Sequence, residues 1–163
     1  MNRQAGQNLT QASGSDVCLL CRAGSLLCAI PLEHVSETMR PLPVSPVAGM
    51  PSFLLGLSVL RGSPVPVVDA ARLLGAAIVA SRPGRFVSLR LGRRQAALAV
   101  DGVIGIRALT RESLEAVPPL LADASCEMVE VLGSLDAELL VVLRSGRIVP
   151  DSLWTALHAQ GTS

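Results

Sequence analysis

Residues 55–75 read LGLSVLRGSPVPVVDAARLLG, and their order is that of a β-hairpin followed by a short helical turn. An apolar run ends at Leu60, and Arg61-Gly62-Ser63 supplies a turn in which Gly62 can take a positive backbone angle. A second apolar run, Val65 to Val68, is punctuated by Pro64 and Pro66. Asp69 then stands where an N-cap would accept the first free amide of a helical turn over Ala70 to Leu74, which Gly75 stops. The segment predicts local antiparallel pairing.

Working outward, the same rhythm of short apolar runs bounded by Gly, Pro, Ser or charge recurs along the chain. Candidate strands are Val17 to Arg22, Leu26 to Ile30, His34 to Arg40, Leu54 to Leu60, Val65 to Val68, Arg85 to Leu91, Gln95 to Val100, Val103 to Arg107, Val129 to Leu135 and Glu138 to Leu143. Ala23-Gly24, Gly92-Arg93 and Asp136-Ala137 separate neighbouring runs as hairpin turns would. The stretch Pro41-Leu42-Pro43-Val44-Ser45-Pro46 cannot continue a central strand, because proline offers no amide to a ladder, and it reads as a crossing loop. Asp151 can cap a terminal helix to about Ala159, with Leu153, Trp154 and Leu157 on one face. A composition break at Ala80 to Gly84 divides the strands into two groups of about five, with exchange of terminal strands across it left open. The expected organisation is therefore an all-β chain, with a first small barrel over about 17–80, a second over about 84–145, and a helix over about 151–159. Residues 1–16, polar and Gly/Ser-containing without the pattern of a signal peptide, read as a disordered leader.

A chain of 163 residues, half of them apolar, with 2% aromatics and no Tyr, must build its core from Leu, Val and Ala. The densest apolar stretches are far shorter than a membrane-spanning helix needs, so no membrane insertion is expected. A net charge of +1 with few aromatics offers neither the electrostatic footprint nor the stacking platform of a nucleic-acid binder. Cys18 and Cys21 have the C-x-x-C spacing of redox and zinc sites, but in a strand that spacing points two sulfurs to opposite faces. Cys28 lies in the next strand and Cys126 stands alone, so the cysteines read as buried, reduced thiols. His34 and His158 lie near no nucleophile motif, and Gly56-Leu57-Ser58-Val59-Leu60 lacks the second glycine of a nucleophile elbow. No phosphate loop is present. No catalytic residue, metal or cofactor is expected. The rival reading is a small β-barrel redox or metal-binding protein using Cys18 and Cys21.

The 55–75 segment resembles the signature of the CheW family of chemotaxis coupling proteins, a Gly-apolar-x-x-Leu-Arg-Gly stretch followed by a Pro-containing apolar strand ending in Asp. Gly56, Leu60, Arg61, Gly62, Pro66 and Asp69 match it. Val35-Ser36-Glu37 is similar to the family's Val-x-Glu, and Leu98 to Val103, containing Asp101, is similar to its second-half Val-Asp-x-Val. Val59 departs from the family's usual Asn, and Ala70-Ala71 from its usual Leu-Arg. The resemblance implies two Src-homology-3-like five-stranded barrels and a non-enzymatic adaptor. Its partners would be the regulatory domain of a CheA-type histidine kinase and the cytoplasmic tip of chemoreceptors. The resemblance further places such a protein in the cytoplasm, held at membrane receptor arrays through those partners, and exposed apolar patches would allow self-association. Arg61 is the expected receptor-proximal contact, with an intramolecular brace as the alternative. Val35 and Glu37 are the weaker kinase-proximal candidates, Glu37 reading equally as a solvated charge. Gly56, Leu60, Gly62, Pro66, Asp69 and Asp101 read as architecture.

Overall fold

The computed structural model describes residues 16–77, 82–110, 115–116, 129–135 and 138–161. From the amino end, β1 (Asp16–Ala23) and β2 (Leu26–Pro31) form a hairpin, and a single 3-10 turn over Leu32–His34 leads into β3 (Val35–Met39). After the Pro-rich crossing come β4 (Leu54–Leu60), β5 (Ser63–Asp69) and the short helix α1 (Ala70–Leu74). Then follow β6 (Arg85–Leu91), β7 (Arg94–Val100), β8 (Gly102–Leu109), the two-residue β9 (Glu115–Ala116), β10 (Val129–Leu135), β11 (Glu138–Leu143) and the terminal helix α2 (Asp151–Gly161). The all-β expectation holds. His34 belongs to the 3-10 turn rather than to a strand, and Asp16 already begins β1. The rest of the expected leader, and Cys126, lie outside the described residues.

The strands form two sheets, a six-stranded one in the order β8-β1-β2-β11-β10-β9 and a five-stranded one in the order β3-β6-β7-β5-β4. This grouping corrects the expected division at 80–84. The five-stranded sheet takes the continuous middle of the chain, β3 to β7, whereas β1 and β2 join the carboxyl-terminal strands. Leu27 pairs with Leu140 in a parallel β2–β11 ladder, and Asp16 to Arg22 pair with β8. The break at 80–84 is a connection within one sheet, from α1 to β6. A change in composition need not be a boundary between sheets.

Most central strands are buried on both faces, which is why they read as continuous apolar runs. In β1, Leu19 and Cys21 enter a core shared by both sheets, while Cys18 and Leu20 enter a second cluster belonging to the six-stranded sheet alone. The shared core draws Ile30 and Val141 from one sheet, Val87, Leu89 and Leu98 from the other, and Trp154 and Leu157 from α2. On the far side of the five-stranded sheet, Leu60, Val65, Val67, Phe86, Ala97 and Ala99 form its own interior. The helix is fastened as well as packed, since Arg94 pairs with Asp151 at 3.1 Å and lies over the Trp154 ring at 5.0 Å.

Because the shared core belongs to both sheets, a cavity in it should weaken both. Leu98 is fully buried there. Leu98→Ala is expected to cost about 2–5 kcal/mol, with Trp154 fluorescence and far-ultraviolet circular dichroism shifting together in urea. Two separated transitions would show that the sheets melt independently.

Candidate functional site

The β4–β5 turn is tighter than its sequence suggests. Leu60 pairs directly with Ser63, so Arg61 and Gly62 alone make the turn, at φ 51° and 83°. Positive φ at both positions is the type I′ geometry that matches strand twist, and Gly62 meets its demand without a steric penalty. Arg61 has a Cβ and accepts this conformation at a cost on the order of 1 kcal/mol. The prolines of β5 sit where they do no harm. With a two-residue turn, the alternation of the ladder puts Pro64 and Pro66 opposite Val59 and Leu57 at non-hydrogen-bonded positions. Pairing of β5 with β7 begins only at Val67.

Glu37 is on β3 and Arg61 follows β4, the two opposite edges of the five-stranded sheet. Their side chains nevertheless meet as a fork. Arg61 Nε donates to Glu37 Oε1 at 3.1 Å, and Nη2 donates to Oε2 at 2.7 Å. The sheet must therefore be rolled until its edges approach. No ladder joins those edges among the described residues, but the crossing loop spans the gap. Ser45 exchanges two backbone hydrogen bonds with Leu57, at 2.8 and 2.9 Å, and Ser58 Oγ donates to the Pro43 carbonyl at 2.7 Å. Gly56 is required at this seam, because a Cβ there would lie 2.1 Å from the Ser45 carbonyl oxygen.

The guanidinium is 75% exposed and the Glu37 side chain 35% exposed. Hydrogen bonding to Arg61 holds the Glu37 carboxyl below its usual range, and the same contact raises the guanidinium above its own. Two donors face Glu37, which leaves Nη1 with no hydrogen-bond partner among the described residues. A fork fixed by one carboxylate and open at its other end is a preorganised donor for an incoming carbonyl or carboxylate.

The structure thus brings Arg61 and Glu37 together in an exposed group that braces the seam. Val35 is not part of this pair. It is half-buried, opposite Leu89, and packs against the shared core. Leu60 and Pro66 are buried in the hairpin. Asp69 accepts from the Arg72 amide at 3.1 Å and caps α1, which Gly75 ends in the left-handed conformation. Asp101 accepts from the Gly24 amide at 2.8 Å, and its own amide donates to the Arg22 carbonyl at 2.8 Å, tying the β1–β2 turn to the end of β7.

Cys18 and Cys21 lie in separate core clusters on opposite faces of β1, so the C-x-x-C spacing assembles no site. Cys21 stands opposite Cys28. A hydrogen bond to the Cys21 thiol, followed by burial, pushes the Cys28 thiol well above its usual range, the reverse of an activated thiolate. Among the described residues, no three His, Cys, Asp or Glu side chains are grouped to hold a metal ion.

One surface escapes the sequence reading. Strand β8 is an edge of the six-stranded sheet, and Ile104 and Ile106 on it are 54% and 63% exposed, with Val17 of the neighbouring strand at 48%. The available signal was the run Val103-Ile104-Gly105-Ile106, apolar at successive positions as a central strand would be, on a strand whose outer side has no neighbour among the described residues. Exposed apolar side chains beside an unpaired backbone edge mark a docking surface.

An aliphatic two-sheet body with an ion-paired turn at one seam and an apolar edge elsewhere is the anatomy of a binding module. The comparisons agree with that anatomy. Residues 17–152 match the model of the CheW-like domain, and the chain belongs to that family. The chain is 34% identical over 118 residues to the protein FrzA of Myxococcus xanthus, covering 71% of each chain. It is 27% identical over 101 residues to the chemotaxis protein CheW of Klebsiella aerogenes, covering 61% of each. Among solved structures it is similar to the scaffolding protein TtCheW of Thermoanaerobacter tengcongensis, with a TM-score of 0.65 at 19% identity, over 83% of this chain and 98% of that one.

The ion pair sets a pH dependence. A carboxylate whose folded pKa lies below its unfolded value stabilises the fold above the ordinary glutamate pKa, and that contribution is lost as pH falls through the lowered folded value. A carboxyl-detected NMR titration should place the Glu37 midpoint below that of an unpaired glutamate. In Arg61→Gln the midpoint should return to the ordinary range, and an unchanged midpoint would mean that the fork does not form in solution.

Proposed function

We propose that this chain is a non-enzymatic scaffold of chemosensory signalling that joins a CheA-type histidine kinase to the cytoplasmic tips of chemoreceptors. The observation that carries the reading is the preorganised, exposed Arg61 fork on the signature turn, in a chain of the CheW-like family. On this reading Arg61 is the receptor-proximal donor, Glu37 holds it in position, and Val35 acts through the packing that supports β3. The apolar edge at Val17, Ile104 and Ile106 is a separate protein-docking surface, fit for the kinase regulatory domain. The two surfaces lie on different sheets, so both partners can be held at once.

The binding surfaces need no catalytic group, because coupling is a difference in contact between two kinase states. The protein acts in the cytoplasm, reaching membrane receptor arrays through its partners. Among the described residues, no helix is long and apolar enough to cross a membrane.

Co-elution with the regulatory domain of the organism's chemosensory kinase, and separately with receptor tip fragments, tests the proposal. The unaltered chain should bind both. Arg61→Glu, folded by circular dichroism, should lose receptor binding and keep the kinase, while Ile106→Glu should do the reverse. Absence of binding to any such kinase or receptor would overturn the scaffold reading. Equal loss of both partners in each variant would overturn the assignment of separate surfaces.

A further inference from the structure

All of the chain's basic side chains are arginines, and it carries a net charge of only +1. Of the described arginines, Arg22, Arg61, Arg72 and Arg94 are each engaged with a carboxylate of this chain. Arg40, Arg82, Arg85, Arg90, Arg93, Arg144 and Arg147 are exposed and have no ion pair among the described residues, and Arg90, Arg93, Arg144 and Arg147 belong to two neighbouring segments.

These four are not scattered. Arg90 and Arg93 sit at the β6–β7 hairpin end beside Arg94, with Arg90 opposite Gln95 and Leu91 opposite Arg94. The turn Ser145–Arg147 packs beside β6, and Arg144 immediately precedes it. Arg94 closes the group, bonded at 3.1 Å to Asp151, four residues beyond Arg147. Asp151 thus engages one guanidinium and leaves the others open.

We propose that the β6–β7 hairpin end and the 144–147 turn form a docking surface for an acidic polypeptide segment of a partner protein. The surface is distinct from the Arg61 seam and from the β8 edge, and it does not depend on the scaffold reading. Carboxylates are the ligand chemistry that guanidinium groups favour, and Arg94 donating one hydrogen bond to Asp151 shows a carboxylate accepted at this spot. An excess of unpaired positive charge on neighbouring segments attracts negative charge, and an acidic segment supplies it without reorganising the protein. A nucleic acid fits less well. Trp154, the aromatic at this surface, is 7% exposed and covered by Arg94, so no ring is free for bases to stack on.

Fluorescence anisotropy of a labelled Glu-rich peptide, titrated with the full chain at low salt, tests the proposal. A single-stranded oligonucleotide of equal charge is titrated in parallel. The peptide should bind, and binding should weaken as salt rises to physiological strength, where the screening length is about 8 Å. The double variant Arg93→Glu, Arg147→Glu should weaken it by about tenfold or more. Arg40→Glu reverses a charge at the opposite end of β6, where Met39 pairs with Phe86, and should leave binding within about twofold. Loss of peptide binding confined to the double variant supports the surface. Absence of peptide binding, equal loss in Arg40→Glu, or tighter binding of the oligonucleotide than of the peptide would each overturn it. Circular dichroism of both variants keeps unfolding from being read as lost binding.

Discussion

Burial of both faces of the same strands is the constraint on which the rest of the structure depends. Leu19 and Cys21 face one way from β1, and Cys18 and Leu20 face the other, and all four are buried. A sheet buried on both sides must have one face against another layer and the other curled around its own interior. The shared core answers the first requirement, and the separate clusters around Leu140 and around Phe86 answer the second. With almost no aromatic volume available, small aliphatic side chains achieve this only through close approach. The two parallel joins, β2 to β11 and β5 to β7, place the strands that line the shared core side by side.

Curling has a consequence at the seam of the five-stranded sheet. Its edges are β3 and β4, and the crossing loop between them is rich in proline, so it cannot complete a full ladder. Closure is therefore made from small parts: the Ser45–Leu57 bridge, the Ser58 hydroxyl on Pro43, the absence of a Cβ at Gly56, and the Glu37–Arg61 fork. An exposed ion pair adds little to stability. Arg61 nonetheless holds a left-handed backbone conformation to make it. Strain of this kind, held at an exposed position where glycine would relieve it, is of the sort that clusters at ligand-contacting positions.

The hairpin and its helical turn were legible because each depends on local chemistry. Asp69 and Gly75 are a cap and a stop wherever they occur in that spacing, and Arg61-Gly62 between two apolar runs is a turn. The expected strands recur in the structure for the same reason. Which strand belongs to which sheet was not legible, because β1 and β2 are recruited by pairing with β8 and β11, contacts separated from them by most of the chain. The loop at 80–84 carries the composition of a boundary and yet lies within one sheet. At the site, Arg61 and Glu37 could be named from their motifs but not joined, since 24 residues and three intervening strands separate them until the sheet rolls. The β8 edge was hidden by the converse effect: Ile104 and Ile106 look like core residues, yet they are exposed at an edge with no neighbouring strand among the described residues.

On the proposed scaffold reading, a body with no moving part evident among its described residues would transmit a signal through its fixed geometry. The Arg61 seam and the β8 edge are on different sheets, but the shared core fastens those sheets together, and its close packing transmits displacement in place of absorbing it. A partner that desolvates the Arg61 fork strengthens every hydrogen bond the guanidinium makes there, because the surrounding dielectric falls. Glu37 is then held more tightly, and through it β3 and the Val35 packing beneath. If receptors bind there as proposed, a difference between two receptor states in how fully they cover the fork would become a difference in how firmly the seam is closed. Linkage requires that a partner at the β8 edge feel that difference only to the extent that its own binding distinguishes the same two states. A rigid adaptor can thus couple two proteins by fixing their relative position, with the free-energy difference residing in the partners and the geometry supplied by the shared core.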